Sequence, residues 1–497
     1  MEEQMREVVD RARVEFKAGR LRTYDQRRYY LLQIDRFLKE QEAAIIAAQR
    51  ADLRKTHMEV MLTEVATCRA EISAYLKKLK SWMKPEHVSK SIVFLGESTY
   101  IQRQPYGVVL IIAPWNYPFY LLLVPLIGAI AAGNCVVIKP SEVSVESEKL
   151  VREQLHNYLP EECFPVVCGG PRKTTELLKQ RFDYIFFTGS TFVGQIVMKA
   201  AAEHLTPVTL ELSGKCPTFV DASSDMQCVA NRIVANKSLN IGQACISYDY
   251  IMCTKETQER LVKAMKTSVE EFFENDMQNS ASWGRVINAR HFDRIYGMLE
   301  NSKGQVAIDG GVDKSDLFMG LTVLTDVKEN DSTMKDEIFG PLLVIMPVSG
   351  LQEAIDFINS KEKPLAAYVH ARDNAVIREF EENTSSGALL SNDSAMNMSV
   401  PDLPFGGVGR SGMGAYHGKL TFETFSHRRA VMHRKQALEG VNKKLRYPPY
   451  TAQKTRRLMA ALFTTEDTPH YGLYIGVGLV LVGALVAIGV TLGVTLY

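Results

Sequence analysis

The chain has 497 residues, 46% of them hydrophobic, with 58 Lys and Arg set against 57 Asp and Glu. A chain of that size buries a large core in two or three domains, and a net charge of +1 excludes the basic balance of a nucleic-acid binder. The eight cysteines form no C-x-x-C pair and no cluster with zinc-ligand spacing, so free thiols in a reducing compartment are expected, with no metal site.

The first twenty residues are crowded with Glu, Arg and Lys and lack an apolar core, so no secretory signal is expected there. Met5, Val8, Ala12 and Phe16 fall at helical spacing before Gly19, and charged helical stretches continue over 24–79. Residues 107–132 are uncharged, but Pro114, Pro118 and Pro125 argue against one continuous membrane helix. The segment reads as a strand over 108–113, a loop through Asn116, a helix over 120–132 and a strand over 135–138, a βαβ unit of a parallel sheet. An apolar strand over 184–187 then leads into Gly189-Ser190-Thr-Phe-Val-Gly194 at the opening of a helix, where backbone N–H groups suit a pyrophosphate. Taken alone, that turn is equally an ordinary strand-to-helix connection.

Two later stretches carry reactive groups. Asn240-Ile-Gly-Gln-Ala-Cys245 places a thiol just past a glycine turn with its own N–H beside it, which suits a nucleophile, although a single Cys is more often a small buried hydrophobe. Leu210-Glu211-Leu-Ser-Gly-Lys215 supplies a carboxyl that is either a general base or an outward strand residue in solvent. Around them stand Pro114-Trp-Asn116-Tyr117-Pro118, Lys139-Pro-Ser-Glu142, Phe187-Thr-Gly189-Ser190-Thr191 with Gly194, Glu337-Ile-Phe339-Gly-Pro341 and Pro404-Phe405-Gly-Gly407. The set, in this order and over roughly residues 1–450, resembles the aldehyde dehydrogenase superfamily. Gly406 to Lys419 and Thr424-Phe-Ser-His-Arg-Arg429 look like its class 3 branch, and the apolar end of the chain points within that branch to membrane-bound fatty aldehyde dehydrogenases.

The resemblance implies an α/β fold: a Rossmann-like NAD-binding domain over 1–208 with a β-hairpin arm near 93–106, an α/β catalytic domain over 209–396, a bridging and dimerisation segment over 397–446, and a homodimer. It implies Cys245 as nucleophile, Asn116 with the Cys245 N–H as oxyanion donors, and Glu211 as the base that hydrolyses the thioester. An asparagine in Asn-Tyr-Pro is otherwise a turn residue capping its own backbone. Cofactor contacts are implied at Lys139, Glu142, Gly189, Ser190, Gly194, Glu337 and Phe339. Glu142 would accept ribose hydroxyls and favour NAD, while Lys139 beside it leaves room for NADP. Glu337, preceded by Lys335 and Asp336, reads alternatively as a solvated surface acid. Tyr117, Phe405 and His417 match positions near the substrate funnel, or are core packing. The chain departs from the pattern at Ser213, where glycine is usual and where a positive φ would strain a serine, at Cys216 and at Arg410.

After a basic linker over 447–470 the chain ends in 27 residues, 471–497, with no charge and no proline. As a helix at ~1.5 Å per residue this run is about 40 Å long, enough to cross a hydrocarbon core of about 30 Å. Ten Lys and Arg lie between His427 and Arg457 against one acid, Glu439. The expected arrangement is a tail anchor in membrane lipid with the catalytic body in the cytosol, at the endoplasmic reticulum first, with peroxisome and mitochondrial outer membrane as alternatives. Long-chain aliphatic aldehydes collect at such a membrane. A membrane-parked dehydrogenase of broad specificity for short or aromatic aldehydes, and a non-catalytic anchored scaffold, are the competing readings.

Overall fold

The computed structural model describes residues 1–462, apart from 91–93, 95–96, 275 and 438. The expected membrane span at 471–497 lies outside the described residues, and among those described no helix is long and apolar enough to cross a membrane. The chain divides into two compact units: Met1–Met83 with Arg103–His427, and Lys84–Gln102 with the chain from Arg428 onward.

The first unit is built on two sheets. One has five strands in the order Gly412–Met413, Val208–Glu211, Tyr184–Thr188, Val108–Ile112 and Cys135–Lys139. Its pairings are parallel except that of Gly412–Met413 with Val208–Glu211. Val108–Ile112 and Cys135–Lys139 are buried at every residue and show no alternation, as parallel strands covered on both faces require. The expected helix forms at Tyr120–Ala132, buried along its whole length with Pro125 inside it and Gly133 as a left-handed cap. It packs so closely on the helix Gly418–Thr424 that a Cβ on Gly128 would stand 2.3 Å from Thr421 Cγ2.

The second sheet has seven strands in the order Ala388–Ser391, Ala366–His370, Pro217–Val220, Tyr250–Cys253, Leu342–Pro347, Thr322–Thr325 and Gln305–Ile308. Only the last pairing is antiparallel. The division expected at residue 209 therefore falls inside a strand: Val208–Glu211 belongs to the first sheet, and the second begins at Pro217. Apolar patterning marks both strands alike, and only the pairing assigns them to different sheets.

The N-terminal helices run Glu2–Ala18, Tyr24–Glu40, Glu42–Leu53, His57–Val60 and Thr67–Trp82. Between the last two, Met61–Ala66 is a π-helix, which periodicity does not foretell. A three-stranded sheet has the order Glu86–His87, Ser98–Pro105 and Ser426–His433, its first pairing antiparallel. Of the arm expected near 93–106, residues 93, 95 and 96 lie outside the described residues, and Ser98–Pro105 is a strand of this sheet. Ion pairs Arg428–Glu86 at 3.4 Å and Arg434–Glu97 at 2.9 Å accompany it.

Candidate active site

The thiol of Cys245 sits at the end of an unusual turn. After the helix Met226–Ser238 the chain takes left-handed conformations at Asn240 (φ 48°), Ile241 (φ 46°) and Gly242 (φ 75°). A β-branched residue there is strained, by about 1–3 kcal/mol. Gly242 is obligatory for a second reason: a Cβ on it would lie 2.4 Å from the Gly340 carbonyl oxygen. The turn is over-determined by hydrogen bonds. Buried Gln243 donates to the Asn240 and Arg285 carbonyls at 3.2 and 3.0 Å and accepts from the Ile287 N–H at 3.1 Å. Cys216, one of the departures from the family pattern, packs beneath, its Sγ 3.3 Å from the Cys245 carbonyl oxygen.

Cys245 is half-buried and lines a cleft of about 770 Å³ that also takes in Glu211 and Asn116. Burial, and then the carboxylates of Glu337 and Glu211, push the thiol up, while the N–H groups of Cys245 and Ile246 act the other way. Glu211 hangs at the end of its strand, 2% exposed, and neither carboxylate oxygen has a hydrogen-bond partner among the described residues. It is no outward solvent-facing acid: burial holds its carboxyl well above the usual carboxylate range. Buried polar atoms left without partners mark places where a ligand or water belongs. Thr188 Oγ1, on the neighbouring strand, is another.

Asn116 is 3% exposed, and its side chain does not cap its own turn: Nδ2 donates to the Gln243 carbonyl at 3.1 Å, leaving one amide N–H for a second acceptor. Its main-chain carbonyl accepts from Asn240 Nδ2 at 3.0 Å and Lys55 Nζ at 2.7 Å.

One end of the cleft is formed by the opening of the helix Thr191–Ala202, with Ser190 as its N-cap and Gly189 and Ser190 in the lining. A Cβ on Gly189 would meet the Phe187 ring at 2.6 Å, and one on Gly194 would meet Leu212 at 2.5 Å, so these glycines set the approach of helix to strand. Free N–H groups at a helix start, a cleft reaching the Cys245 loop and unpartnered Thr188 and Glu211 fit a dinucleotide. Glu337 and Phe339 line the same cleft. Glu337 is half-buried rather than a solvated surface acid; burial and Asp249 push its carboxyl up to about 8 against the Ser213 hydroxyl, which bonds to it. Ser213 is not among the positive-φ residues, so the strain entertained for it does not arise.

Other expected site residues stand back from the cleft lining. Lys139 and Glu142 pair with each other at 2.6 Å, Gly194 lies inside its helix, and Tyr117 sits under Lys55 Nζ, 3.9 Å from the ring centroid. Phe405 does line the cleft, with His417 stacked behind it at 5.3 Å between centroids. His417 is buried, bonded to Tyr120 Oη at 2.7 Å, and burial lowers its pKa to about 4, so it is a neutral imidazole. Arg410, exposed, is at the cleft mouth 3.8 Å from Glu362.

Other residues complete the site: Trp115 and Lys215 stand inside motifs of the sequence without an assigned role, and His291 and Arg294 have no sequence signal. Trp115 meets His291 at 5.0 Å and Phe339 at 5.4 Å, a ring cluster in the cleft wall. Arg294 donates to the Glu337 and Ile338 carbonyls at 3.1 and 2.6 Å, and Lys215 bonds to Asp249 and to the Thr333 carbonyl, both at 2.8 Å, so two cations fix the Glu337 loop. Lys55, Glu59 and Glu64 lie deeper still. A long-range contact between charged helices and two loops leaves no periodic trace.

The model of the aldehyde dehydrogenase family matches residues 1–431. Aldehyde dehydrogenase family 3 member B1 of Rattus norvegicus is 48% identical over 454 residues, 91% of this chain and 96% of the relative. Aldehyde dehydrogenase family 3 member A2 of Macaca fascicularis is 47% identical over 450 residues, 90% and 92% of the two chains. Among solved structures, Staphylococcus aureus AldH in its substrate-bound state superposes with a TM-score of 0.89 at 35% identity, over 91% of this chain and 98% of that one.

Proposed function

The chain belongs to the aldehyde dehydrogenase family, and from that premise we propose that it oxidises medium- to long-chain aliphatic aldehydes to carboxylic acids through a thioester on Cys245, with NAD preferred over NADP. The observation that carries the reading is the buried, unpartnered carboxyl of Glu211 in one cleft with Cys245 and Asn116. The Cys245 thiol gives up its proton to water and as thiolate attacks the aldehyde carbon, and the oxyanion takes hydrogen bonds from the Cys245 N–H and the second N–H of Asn116 Nδ2. Bound NAD would accept the hydride that leaves this carbon as the C–O double bond re-forms. The thioester remains on Cys245. In its ionised form Glu211 removes a proton from water, hydroxide adds to the thioester carbon, and the thiolate leaves as the carboxylic acid is released. A carboxyl with a raised pKa in a water-poor cleft is suited to this step.

Cofactor preference rests on Glu142, whose carboxylate accepts ribose hydroxyls and repels a 2′-phosphate, with Lys139 beside it. Substrate length rests on the apolar run 471–497: each CH₂ gains about 0.8 kcal/mol on entering lipid, so a tail-anchored enzyme meets long chains at the bilayer. The short basic and apolar segment 456–463 precedes that run and lies at the membrane surface in this reading. The working form is a homodimer, with residues near 397–430 contributing. A second reading, broad specificity for short or aromatic aldehydes, is favoured by the rings of Trp115, His291 and Phe339 in the cleft wall.

The test follows NADH absorbance with detergent-solubilised full-length protein given hexadecanal, hexanal or benzaldehyde, beside Cys245→Ala. Turnover favouring hexadecanal and absent from the variant supports the proposal; preference for benzaldehyde or hexanal moves the assignment to the second reading. Absence of NADH and NADPH from all three would leave an inactive scaffold.

A further inference from the structure

Beneath the cleft three charged side chains are buried together. Lys55 and Glu64 are both 0% exposed at the side chain and pair at 2.9 Å, and Glu59 is 8% exposed. Lys55 Nζ also donates to the Asn116 carbonyl at 2.7 Å. The other oxygen of Glu64 accepts from the N–H groups of Phe119 and Tyr120 at 3.0 and 2.8 Å, where the helix after Asn116 begins. Glu59 accepts from the N–H of Asn240 at 2.6 Å, the first left-handed residue of the turn before Cys245. Among the described residues, every hydrogen bond of these three side chains ends on another of the three, on residues 116–120 or on Asn240.

Desolvation offsets most of the attraction in a buried ion pair, so such a cluster contributes little net stability. What it does contribute is geometry. Asn116 supplies a side-chain N–H and Asn240 begins the turn that presents Cys245, and both hang from one support. Glu64 lies within the π-helix Met61–Ala66 and Glu59 in the helix His57–Val60 that leads into it; π-turns are frequent at functional sites.

We propose that Lys55, Glu59 and Glu64 are positioning residues that hold Asn116 and the turn before Cys245 in mutual register for oxyanion stabilisation. They touch neither substrate nor cofactor and act through main-chain groups of the two reacting loops. The inference rests on the site reading given above, in which Asn116 binds the oxyanion.

The experiment is a mutant cycle on the full-length enzyme. Lys55→Met with Glu64→Gln removes both buried charges together; Asn116→Ala removes the donor; a third variant combines them. For each, four quantities are measured: the first-turnover NADH rate, the NAD dissociation constant by fluorescence, Cys245 alkylation by iodoacetamide and thermal melting. The expected result is a first-turnover rate about tenfold lower in the charge-free variant, with NAD affinity and alkylation within about twofold of the parent. The combined variant is expected to be no slower than Asn116→Ala, because coupled groups are non-additive. Additive losses, or equal losses in NAD affinity and alkylation, would mean general loosening and overturn the proposal. An undiminished rate in the charge-free variant while Asn116→Ala is slow overturns it alone; an undiminished rate in Asn116→Ala removes the site reading and the proposal together. If the charge-free variant melts below assay temperature, Glu59→Gln, which keeps an oxygen for the Asn240 N–H, takes its place in the same cycle.

Discussion

Glu211 concentrates the tension between stability and chemistry. A carboxyl with both oxygens buried and unpartnered destabilises the folded chain whenever it is ionised. Its raised pKa means that the folded state keeps a proton which the unfolded chain has released. Stability from this group is therefore lost as pH rises above the usual carboxylate range and regained below it. Glu59, pushed up to about 7 chiefly by burial, and Glu337, up to about 8, add in the same direction. Melting of Glu211→Gln against the parent between pH 5 and 8 should show an advantage for the variant that grows with pH; a constant difference would contradict the assigned environment. The residue's identity was legible from its motif, but its burial was not, since Thr-Leu-Glu-Leu permits either face of a strand.

At the scale of elements, the turn 240–245 carries the heaviest constraints. Gly242→Ala forces a Cβ into a left-handed position and against the Gly340 oxygen, and is expected to cost about 2–4 kcal/mol in denaturant unfolding as well as most of the activity. A loss below 0.5 kcal/mol would show that the turn relaxes freely. The regular elements over 108–139 were readable for physical reasons: Val-Val-Leu-Ile-Ile and Cys-Val-Val-Ile-Lys are continuous apolar runs, and Gly133 stops the helix between them. The π-helix at 61–66 has no periodic signature, and the inward-pointing Lys55 and Glu59 were not readable, because a buried charge looks like a solvated one until its distant partner, Asn116 for Lys55 and Asn240 for Glu59, is in place.

For the whole molecule, the ordering of two sheets brings Glu211 from the first to the Cys245 loop, which leads into the second sheet, and this makes one cleft from residues 114 to 411. Motif order foreshadowed that convergence, whereas the sheet boundary and the place of Ser426–His433 in the three-stranded sheet follow from pairings with no local signature. Truncation after residue 450 should release the protein from membranes on carbonate extraction and lower hexadecanal oxidation more than hexanal oxidation. Equal effects on both aldehydes would separate anchoring from substrate choice.

Acyl transfer through Cys245, completed by Glu211, is tested by intact-protein and peptide mass spectrometry of Glu211→Gln after mixing with hexadecanal and NAD, alongside the NADH yield. The predicted result is about one NADH per site, then arrest, with the acyl group on the peptide that carries Cys245. Sustained NADH production with an unmodified Cys245 would contradict it.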